Sequence, residues 1–553
     1  MQERQRKWIA YVLLLVTAFS FRFYVARFLP NDTPGDSLVY AQMARNLLEH
    51  HVYSHAPEPP YPPSLIRLPG YSLFLAAIYS IFGHYNNTPV RIVQAMLDTL
   101  TCAMVGLIAY YWEPEERRKR AAAIAALALA AVCPFTTIYV ATILTETWAC
   151  FLAVALCWLA TLAFRAGSFR GSLWWWVAVG SVGGLGVFFR PDSGLFVAAV
   201  GLTLVITSFF RPPFWRGEQA WRRRLLPVLA QGALLSAAFA LVLVPWTVRN
   251  WRTFHLFQPL APTHGEMPGE FVPWGYYTWV RSWLYDGRYI ETALWSLNDA
   301  PIDPDDLPDS AFDSAEEKVL VSELLDQYNN PSQEDEPAPD EESSPSPSPT
   351  PLSQPAKDKA SANPAKQNPS PAVNDKEKQD EGTDIEQSDN EEQPADKAEE
   401  QPPDMTPAID AAFGRIARER IARAPLRYYL WLPLKRATSL WFGPHSDYYP
   451  FAGELFPLAD LDHTTHQHIW LPLFAGLVCI YTLLGIAGGW LLWRARDFAS
   501  RRWLLLAALL IFLRLAFFST MENPEPRYTV EIFPLLAVLG GIFFARLKKV
   551  RHA

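Results

Sequence analysis

The segment PNDTPGDSLVYAQMARNLLEHHVYS (30–54), resumed after a proline-rich run by RLPGYSLFLAAIYSIFG (67–83), decides how the rest of the chain is threaded. Its first part predicts a short amphipathic helix from Asp36/Ser37 to about Glu49, with Leu38, Ala41, Ala44 and Leu48 on one stripe at helical spacing. Asp36 opens that helix just after a Pro-Gly turn, which places a carboxylate close to a membrane without burying it. The second part, from Pro69 to Gly83, is apolar but shorter than the ~20 residues a bilayer crossing needs. It is therefore expected to lie along the interface or re-enter, and the chain is not counted as crossing there.

Working outward from this loop, the composition sets the class. Half the residues are hydrophobic and several apolar runs are long enough to span, so the fold class is an all-α polytopic membrane protein of about ten transmembrane helices. The expected spans are 8–28, 91–112, 121–140, 147–164, 173–189, 194–210, 225–246, 469–493, 503–520 and 531–547. The basic stretches are the N-terminus, EPEERRKR (113–120), the Arg165–Arg170 turn, RPPFWRGEQAWRRR (211–224), RARDFASRR (494–502) and the KKVRH tail. With ten crossings, and 69–83 not among them, all of these fall on one side, read as cytoplasmic. The first apolar run lacks a small-residue cleavage site and is read as a retained span. The five cysteines lie in apolar runs and read as small core residues.

The opposite, outward side then collects the 29–90 loop, the Thr145-Glu146 turn, Arg190-Pro191-Asp192, an outward segment from Thr247 to about residue 468, and ENPEPRY (522–528). Five regions follow: an N-terminal membrane domain (1–246), an aromatic-rich outward segment (247–330), an acidic Pro/Ser-rich tether (331–405), an outward helical segment (406–468) and C-terminal membrane helices (469–553). The tether carries 20 acidic residues against 6 lysines, a net of −14 in a chain of −8, which leaves the rest at +6. With almost no large apolar residue it cannot bury enough surface to fold and is expected to be disordered. In the helical segment, AAFGRIARERIARAPLRYYLWLPLKRATSLW (411–441) reads as an amphipathic helix with an aromatic patch, suited to lie on the membrane surface.

Soluble-enzyme motifs are absent: there is no phosphate-binding loop and no GxGxxG after a strand. The glycines of GSVGGLG (180–186) fall inside a span, where they usually permit close helix packing. Asp462, His463, His466 and His468 form the one metal-like cluster, and a solvated turn before a span is the commoner outcome for it. No metal site is assigned, though a divalent cation is kept open as a cofactor. Two charges fall inside spans at similar depth, Asp98 and Arg514, and are expected to contact each other or share a polar pocket, since lone charges there usually pair.

The pieces GDSLVYAQMARNLLEHHVYS, RLPGYSLFLAAIYSIFG and RIVQAMLDTLTCAMVG (91–106) together resemble the start of the GT-C membrane glycosyltransferases, the superfamily of the protein O-mannosyltransferases and the lipid A aminoarabinose transferases. LTETWACFLAVAL (144–156), FFRPDSGLF (188–196), VPWTVRNW (244–251), ARAPLRYYL (422–430) and EPRYTVEIFPLLAVLGG (525–541) follow in the same order. The resemblance implies a transferase using a polyprenyl-phosphate-linked sugar donor, with an essential Asp in the first outward loop. Asp36 is the matching position. The Asp-Glu pair common in that loop is Asp36-Ser37 here.

Such a donor brings a good leaving group, so one carboxylate acting as base on an acceptor hydroxyl suffices for inversion. The departing phosphate needs cations, which Arg67, Arg190, Arg249 and Arg527 could supply, with Tyr528 beside Arg527 and Glu146 as a second polar wall. Each arginine also has a plainer reading as an interfacial snorkelling residue, Asp36 as a helix N-cap, and Glu146 as a helix-end residue facing water. Expected partners are the lipid-linked donor, a lipid, glycan or protein acceptor and membrane lipids, with no nucleic acid. The expected location is the inner or plasma membrane, with both termini cytoplasmic and the chemistry on the periplasmic, extracytoplasmic face. Other functions that share the topology are a transporter or flippase, and a polymerase or ligase of lipid-linked saccharides.

Overall fold

The computed structural model describes residues 2–31, 35–209, 218–331 and 402–547. The regular secondary structure of the described residues is helical, and their one β-type pairing is an isolated bridge between Asn31 and Thr142. Helices α1 (Gln2–Phe28), α2 (Asp36–Glu49), α3 (Pro69–Phe82), α4 (Asn87–Trp112), α5 (Lys119–Ala131) and α6 (Pro134–Thr137) form the first part. They are followed by α7 (Glu146–Arg165), α8 (Phe169–Phe189), α9 (Gly194–Phe209) and α10 (Glu218–Phe254). The loop-rich part carries α11 (Trp274–Arg281), α12 (Ala315–Asn329), α13 (Pro407–Arg423) and α14 (Leu432–Phe442), before α15 (Gln467–Arg494), α16 (Phe498–Ser519) and α17 (Phe533–Leu547). Nine helices among the described residues are long and apolar enough to cross a membrane, or ten if the pair Lys119–Ala131 and Pro134–Val140, bent by 54°, counts as one span. These coincide with the ten expected spans.

Helix α3 is one of the short apolar helices, at 14 residues, and does not reach span length. It packs on α2 through Tyr40, Ala44, Tyr71, Leu75 and Tyr79. The buried face of α2 is Ser37, Tyr40, Ala41, Met43, Ala44 and Asn46, whereas Leu38, expected on the stripe, is 58% exposed. Asn46 can be buried because its amide donates to the carbonyls of Ser54 and Ala56.

Close approach of the spans depends on glycine. A methyl at Gly180 would overlap the Leu235 carbonyl, and one at Gly488 would overlap that of Leu539, so α8–α10 and α15–α17 pack backbone to backbone. The expected partnership of Asp98 with Arg514 does not occur. Asp98 instead receives the Arg22 Nε at 2.7 Å, and the rest of that guanidinium donates to the carbonyls of Ala130 and Ala131 at the bend, at 3.0 and 2.9 Å. Pro134 cannot donate a backbone hydrogen bond, so the break frees carbonyls that a wholly buried arginine takes up. Arg514 has different partners, described below. Depth along a helix is readable from sequence; the direction a side chain faces around the bundle is not.

The two stretches flanking the acidic run share one core. Tyr276, Trp279 and Trp283 from α11 and its exit pack with Leu325 and Tyr328 of α12 and Phe413 of α13. Arg420 of α13 ties to Glu317 of α12 at 2.5 Å, and Arg423 to the same carboxylate at 3.0 Å. The expected single amphipathic helix over 411–441 is instead two helices broken at Ala424-Pro425, because proline disfavours helical backbone in the residue before it. Its first half is core rather than membrane surface, while Leu426, Tyr429 and Trp431 remain exposed. Most of 331–405 lies outside the described residues. Its last part does not belong to a tether, since Met405 is buried and Asp404 N donates to Tyr328 O at 3.1 Å. The chain ends that bracket the undescribed stretch therefore touch.

Two outcomes follow from this architecture. Arg22→Met strands Asp98 and the Ala130–Ala131 carbonyls together and should cost roughly 3–5 kcal/mol. Asp98→Asn leaves the carbonyl contacts in place and should cost less, so thermal unfolding in detergent should rank the two variants in that order. Replacing 332–401 by a short Gly/Ser linker should leave the fold intact and raise stability by up to about 2 kcal/mol, because a shorter chain closes the same contact. Size-exclusion profiles and melting temperatures check this.

Candidate active site

Asp36 is the first helical residue of α2, and Gly35, at φ 87°, takes the N-cap position, with no side-chain cap bond formed. The carboxylate is thus not spent on capping. One oxygen accepts from Arg67 Nη2 at 2.8 Å, and the other stands 3.6 Å from Arg527 Nη1. The Asp36 side chain keeps about a third of its surface open (31%), so the pair lines an accessible mouth. Burial alone would raise the Asp36 pKa, but the guanidinium groups of Arg67 and Arg527 outweigh it and hold the carboxyl below its usual range.

Each partner is fixed from another element. Arg67 sits in extended chain before α3, where Tyr53 donates its hydroxyl to the Arg67 and Leu68 carbonyls at 3.3 and 3.2 Å. Gly265, at φ 75°, passes directly over Arg67, and a Cβ there would lie 3.1 Å from its Nη1. Next to it, His264 stacks on Tyr277 and contacts Glu522 at 2.7 Å. Arg527, from the turn that leads into α17, also donates to Tyr448 Oη and Glu525 Oε1, both at 3.1 Å. Tyr528 donates to the same Glu525 oxygen at 2.5 Å and stacks on Phe518.

Behind this mouth lies a buried charge network. Glu146 Oε1 accepts from Arg190 Nη1 at 2.7 Å, and Arg190 Nε reaches Asp192 at 3.3 Å. Asp192 also accepts from Arg514, whose remaining donors go to Glu531 at 2.8 Å and the Tyr528 carbonyl at 2.6 Å. Five charged groups, three acids and two arginines, from α7, α8–α9, α16 and the approach to α17 are thereby interlocked.

Of the residues singled out from sequence, Asp36, Arg67 and Arg527 meet directly, and Glu146, Arg190 and Tyr528 lie beside them. Arg190 stands 5.5 Å from the centre of the Tyr528 ring. Arg249 is set apart: it donates to the Ser64 carbonyl and Asn250 at 2.8 and 2.9 Å and lies against Trp246, bracing the 53–64 loop. Glu146 is 2% exposed, so its expected alternative as a water-facing helix end does not hold. The cluster at 462–468 gathers no metal-like group, and among the described residues no three His, Cys, Asp or Glu side chains stand together for an ion. Asp462 is spent on its own turn, accepting from Thr464 and Thr465.

Sequence reasoning missed Asp447 and Tyr448, in the turn GPHSDYYP (443–450), along with Glu525, Asp192 and Glu531 as network members. The Gly-Pro entry and Pro exit of that turn were the available signal.

Residues 62–247 match the family model for dolichyl-phosphate-mannose-protein mannosyltransferase, a stretch that holds Arg67, Glu146, Arg190 and Arg249 and begins after Asp36. That match covers well under half of the chain. Among solved structures the chain is similar to the oligosaccharyltransferase AglB of Archaeoglobus fulgidus, solved with an inhibitory peptide and a dolichol-phosphate. The identity is 11% over 98% of this chain and 51% of that one, with a TM-score of 0.42, so the chain spans about half that protein's length. It is also similar to ArnT of Cupriavidus metallidurans, solved with undecaprenyl phosphate, at 14% identity over 97% of this chain and 78% of that one, with a TM-score of 0.35. No curated protein matches the chain.

The contact of Gly265 with Arg67 can be tested directly. Gly265→Ala forces a left-handed backbone on a side chain that also presses Arg67, and should destabilise the folded protein by about 1–2 kcal/mol. A melting temperature unchanged in detergent would contradict the placement of that turn.

Proposed function

We propose that the chain is an inverting membrane glycosyltransferase that moves a sugar from a polyprenyl-phosphate carrier to a hydroxyl-bearing acceptor, with Asp36 as the base. The observation that carries this is the accessible carboxylate between two guanidinium groups, Arg67 at 2.8 Å and Arg527 at 3.6 Å. The acceptor oxygen attacks the anomeric carbon and its proton passes to Asp36. The bond from that carbon to the phosphate oxygen breaks, and polyprenyl phosphate leaves with the electron pair. Arginines suit the departing anion because their forked donors match phosphate oxygens.

The low Asp36 pKa is consistent with this role once the donor is bound. Asp36 is ionised throughout the physiological range, ready to accept, but the adjacent cations make it a weak base. A phosphate drawn to Arg67 and Arg527 offsets those same cations and restores basicity when it is needed.

The site would face the extracytoplasmic side, with both termini cytoplasmic. Ten crossings, with α3 too short to make another, leave every strongly basic loop on the side opposite Asp36. Support for the donor class is the family match over 62–247 and the resemblance of the first loop.

The test is turnover of a panel of undecaprenyl-phospho-sugars, read as release of lipid phosphate. Asp36→Asn should remain folded and membrane-inserted, since Gly35 and not Asp36 caps α2. Its transfer rate should fall by about a hundredfold to ten-thousandfold, the usual weight of a lost general base. Near-normal transfer by Asp36→Asn would remove Asp36 from the chemistry.

A further inference from the structure

The turn 443–450 reaches the site through Arg527, the arginine that faces Asp36. Its backbone is bent hard: His445 and Tyr448 take φ 49° and 66°, conformations that cost energy for residues with a Cβ and that cluster at functional sites. The turn is anchored at both ends of the first loop's machinery. Tyr448 O accepts from Asn31 Nδ2 at 3.2 Å, five residues before Asp36, and Tyr448 Oη accepts from Arg527, the arginine that faces Asp36. Tyr448 also meets Tyr139 edge-on, with ring centres 5.6 Å apart.

Between the two bent positions lies Asp447. Its Oδ2 is buried with no hydrogen-bond partner, and so is Oε2 of Glu146, whose other oxygen is held by Arg190. The two carboxylates are close enough to feel one another's charge, and both act on Tyr139, Tyr448 and Arg527. Of the other acids in the cluster, Asp36, Asp192 and Glu525 have both oxygens against arginines, while the wholly buried Glu531, held by Arg514 through Oε1, leaves its Oε2 unpartnered away from the turn. A site with two open acceptors beside a pair of tyrosine rings suits a ligand that donates several hydrogen bonds and also presents an apolar face. A glycosyl ring has that chemistry; a bare phosphate does not.

We propose that Asp447 is a substrate-binding residue that accepts a hydroxyl hydrogen bond from the glycosyl group of the lipid-linked donor, with Glu146 Oε2 as the second acceptor. The proposal rests on the transferase reading and deepens it, by separating a phosphate end at Arg67 and Arg527 from a sugar end at Asp447.

Burial, reinforced by Glu525 and Glu146 and opposed by Arg527, pushes the Asp447 carboxyl up to about 6. Glu454, on the same loop, adds a further acidic neighbour. Ionised Asp447 is therefore disfavoured in the folded protein. That cost is absent below its unfolded pKa, grows as pH rises toward 6 and is complete above it. Asp447→Asn removes the cost, so a residue kept for binding and not for folding leaves a double signature: affinity falls while stability holds or rises.

The experiment compares binding of undecaprenyl phosphate with binding of undecaprenyl-phospho-mannose, -glucose, -arabinose and -N-acetylglucosamine to the full-length protein in detergent, alongside thermal melting at pH 7.5 and pH 5. At pH 7.5 the wild type should prefer at least one glycosylated lipid over the bare lipid phosphate. Asp447→Asn should lose about tenfold to hundredfold of that preference, the weight of a hydrogen bond to a charged group, with bare-lipid affinity unchanged. In the wild type the preference should shrink as pH drops below 6. The variant's melting temperature should equal or exceed the wild type's at pH 7.5, and any excess should be smaller at pH 5. An unchanged preference overturns the proposal, as does an equal loss for bare and glycosylated lipids, which would mean Asp447 acts only through Arg527. Binding of bare lipid phosphate with no preference for any glycosylated form overturns the sugar site and leaves the phosphate site standing. Binding of neither defeats the transferase reading and this proposal with it.

Discussion

The ion pair between Arg527 and Asp36 joins the two ends of the chain, and the rest of the site is arranged so that it can exist. A charge withdrawn from water is costly unless an opposite charge and hydrogen bonds replace the lost hydration. Arg527 meets that demand with Asp36, Glu525 and the Tyr448 hydroxyl together. Arg514 meets it with Asp192 and Glu531, and Arg190 with Glu146 and Asp192. Because each bond crosses between helices far apart in sequence, the network sets the relative positions of α2, α7, α9, α16 and α17 at one end of the bundle. The glycine contacts set their separation further down, where α8–α10 and α15–α17 touch backbone to backbone.

Much of this was legible in the sequence, and the part that was not has a common cause. Span positions follow from hydropathy over about twenty residues, and the non-crossing nature of α3 follows from its length alone. Asp36 and its arginines could be gathered because each lies at a span end on the same side. Pairings inside the bundle could not, since they depend on rotation about helix axes and on which helices are neighbours. Hence Asp98 turned out to belong to Arg22, although Arg514 lies at a similar depth. Arg249 shares the side and depth of the other arginines, yet faces the 53–64 loop. Asp447 stayed hidden for another reason. It is one of several acidic residues in a long polar region, and only its burial sets it apart.

The loop-rich region shows how composition can place a boundary only approximately. The acidic run ends by charge and proline content at about residue 405, but packing has resumed by then, with Asp404 N bonded to the Tyr328 carbonyl and Met405 buried in the α11–α12–α13 core. One apolar side chain with a place to go outweighs the polarity of its neighbours. Pro425 does the reverse to a stretch that reads as one helix, splitting it between a buried half and an exposed aromatic half.

The junction at Arg22 also implies an order of assembly. The residue is made 76 positions before Asp98 and more than a hundred before the carbonyls it holds. During synthesis α1 therefore enters the bilayer carrying an arginine whose counter-charge and cross-helix partners have not yet emerged from the ribosome, with only the Ala18 carbonyl of its own helix at hand. Until α4 and the bent pair arrive, that charge must be satisfied by water or lipid headgroups, which favours a shallow or tilted α1. The buried junction can form only once those later helices are present, so α1 is expected to reach its final depth after them.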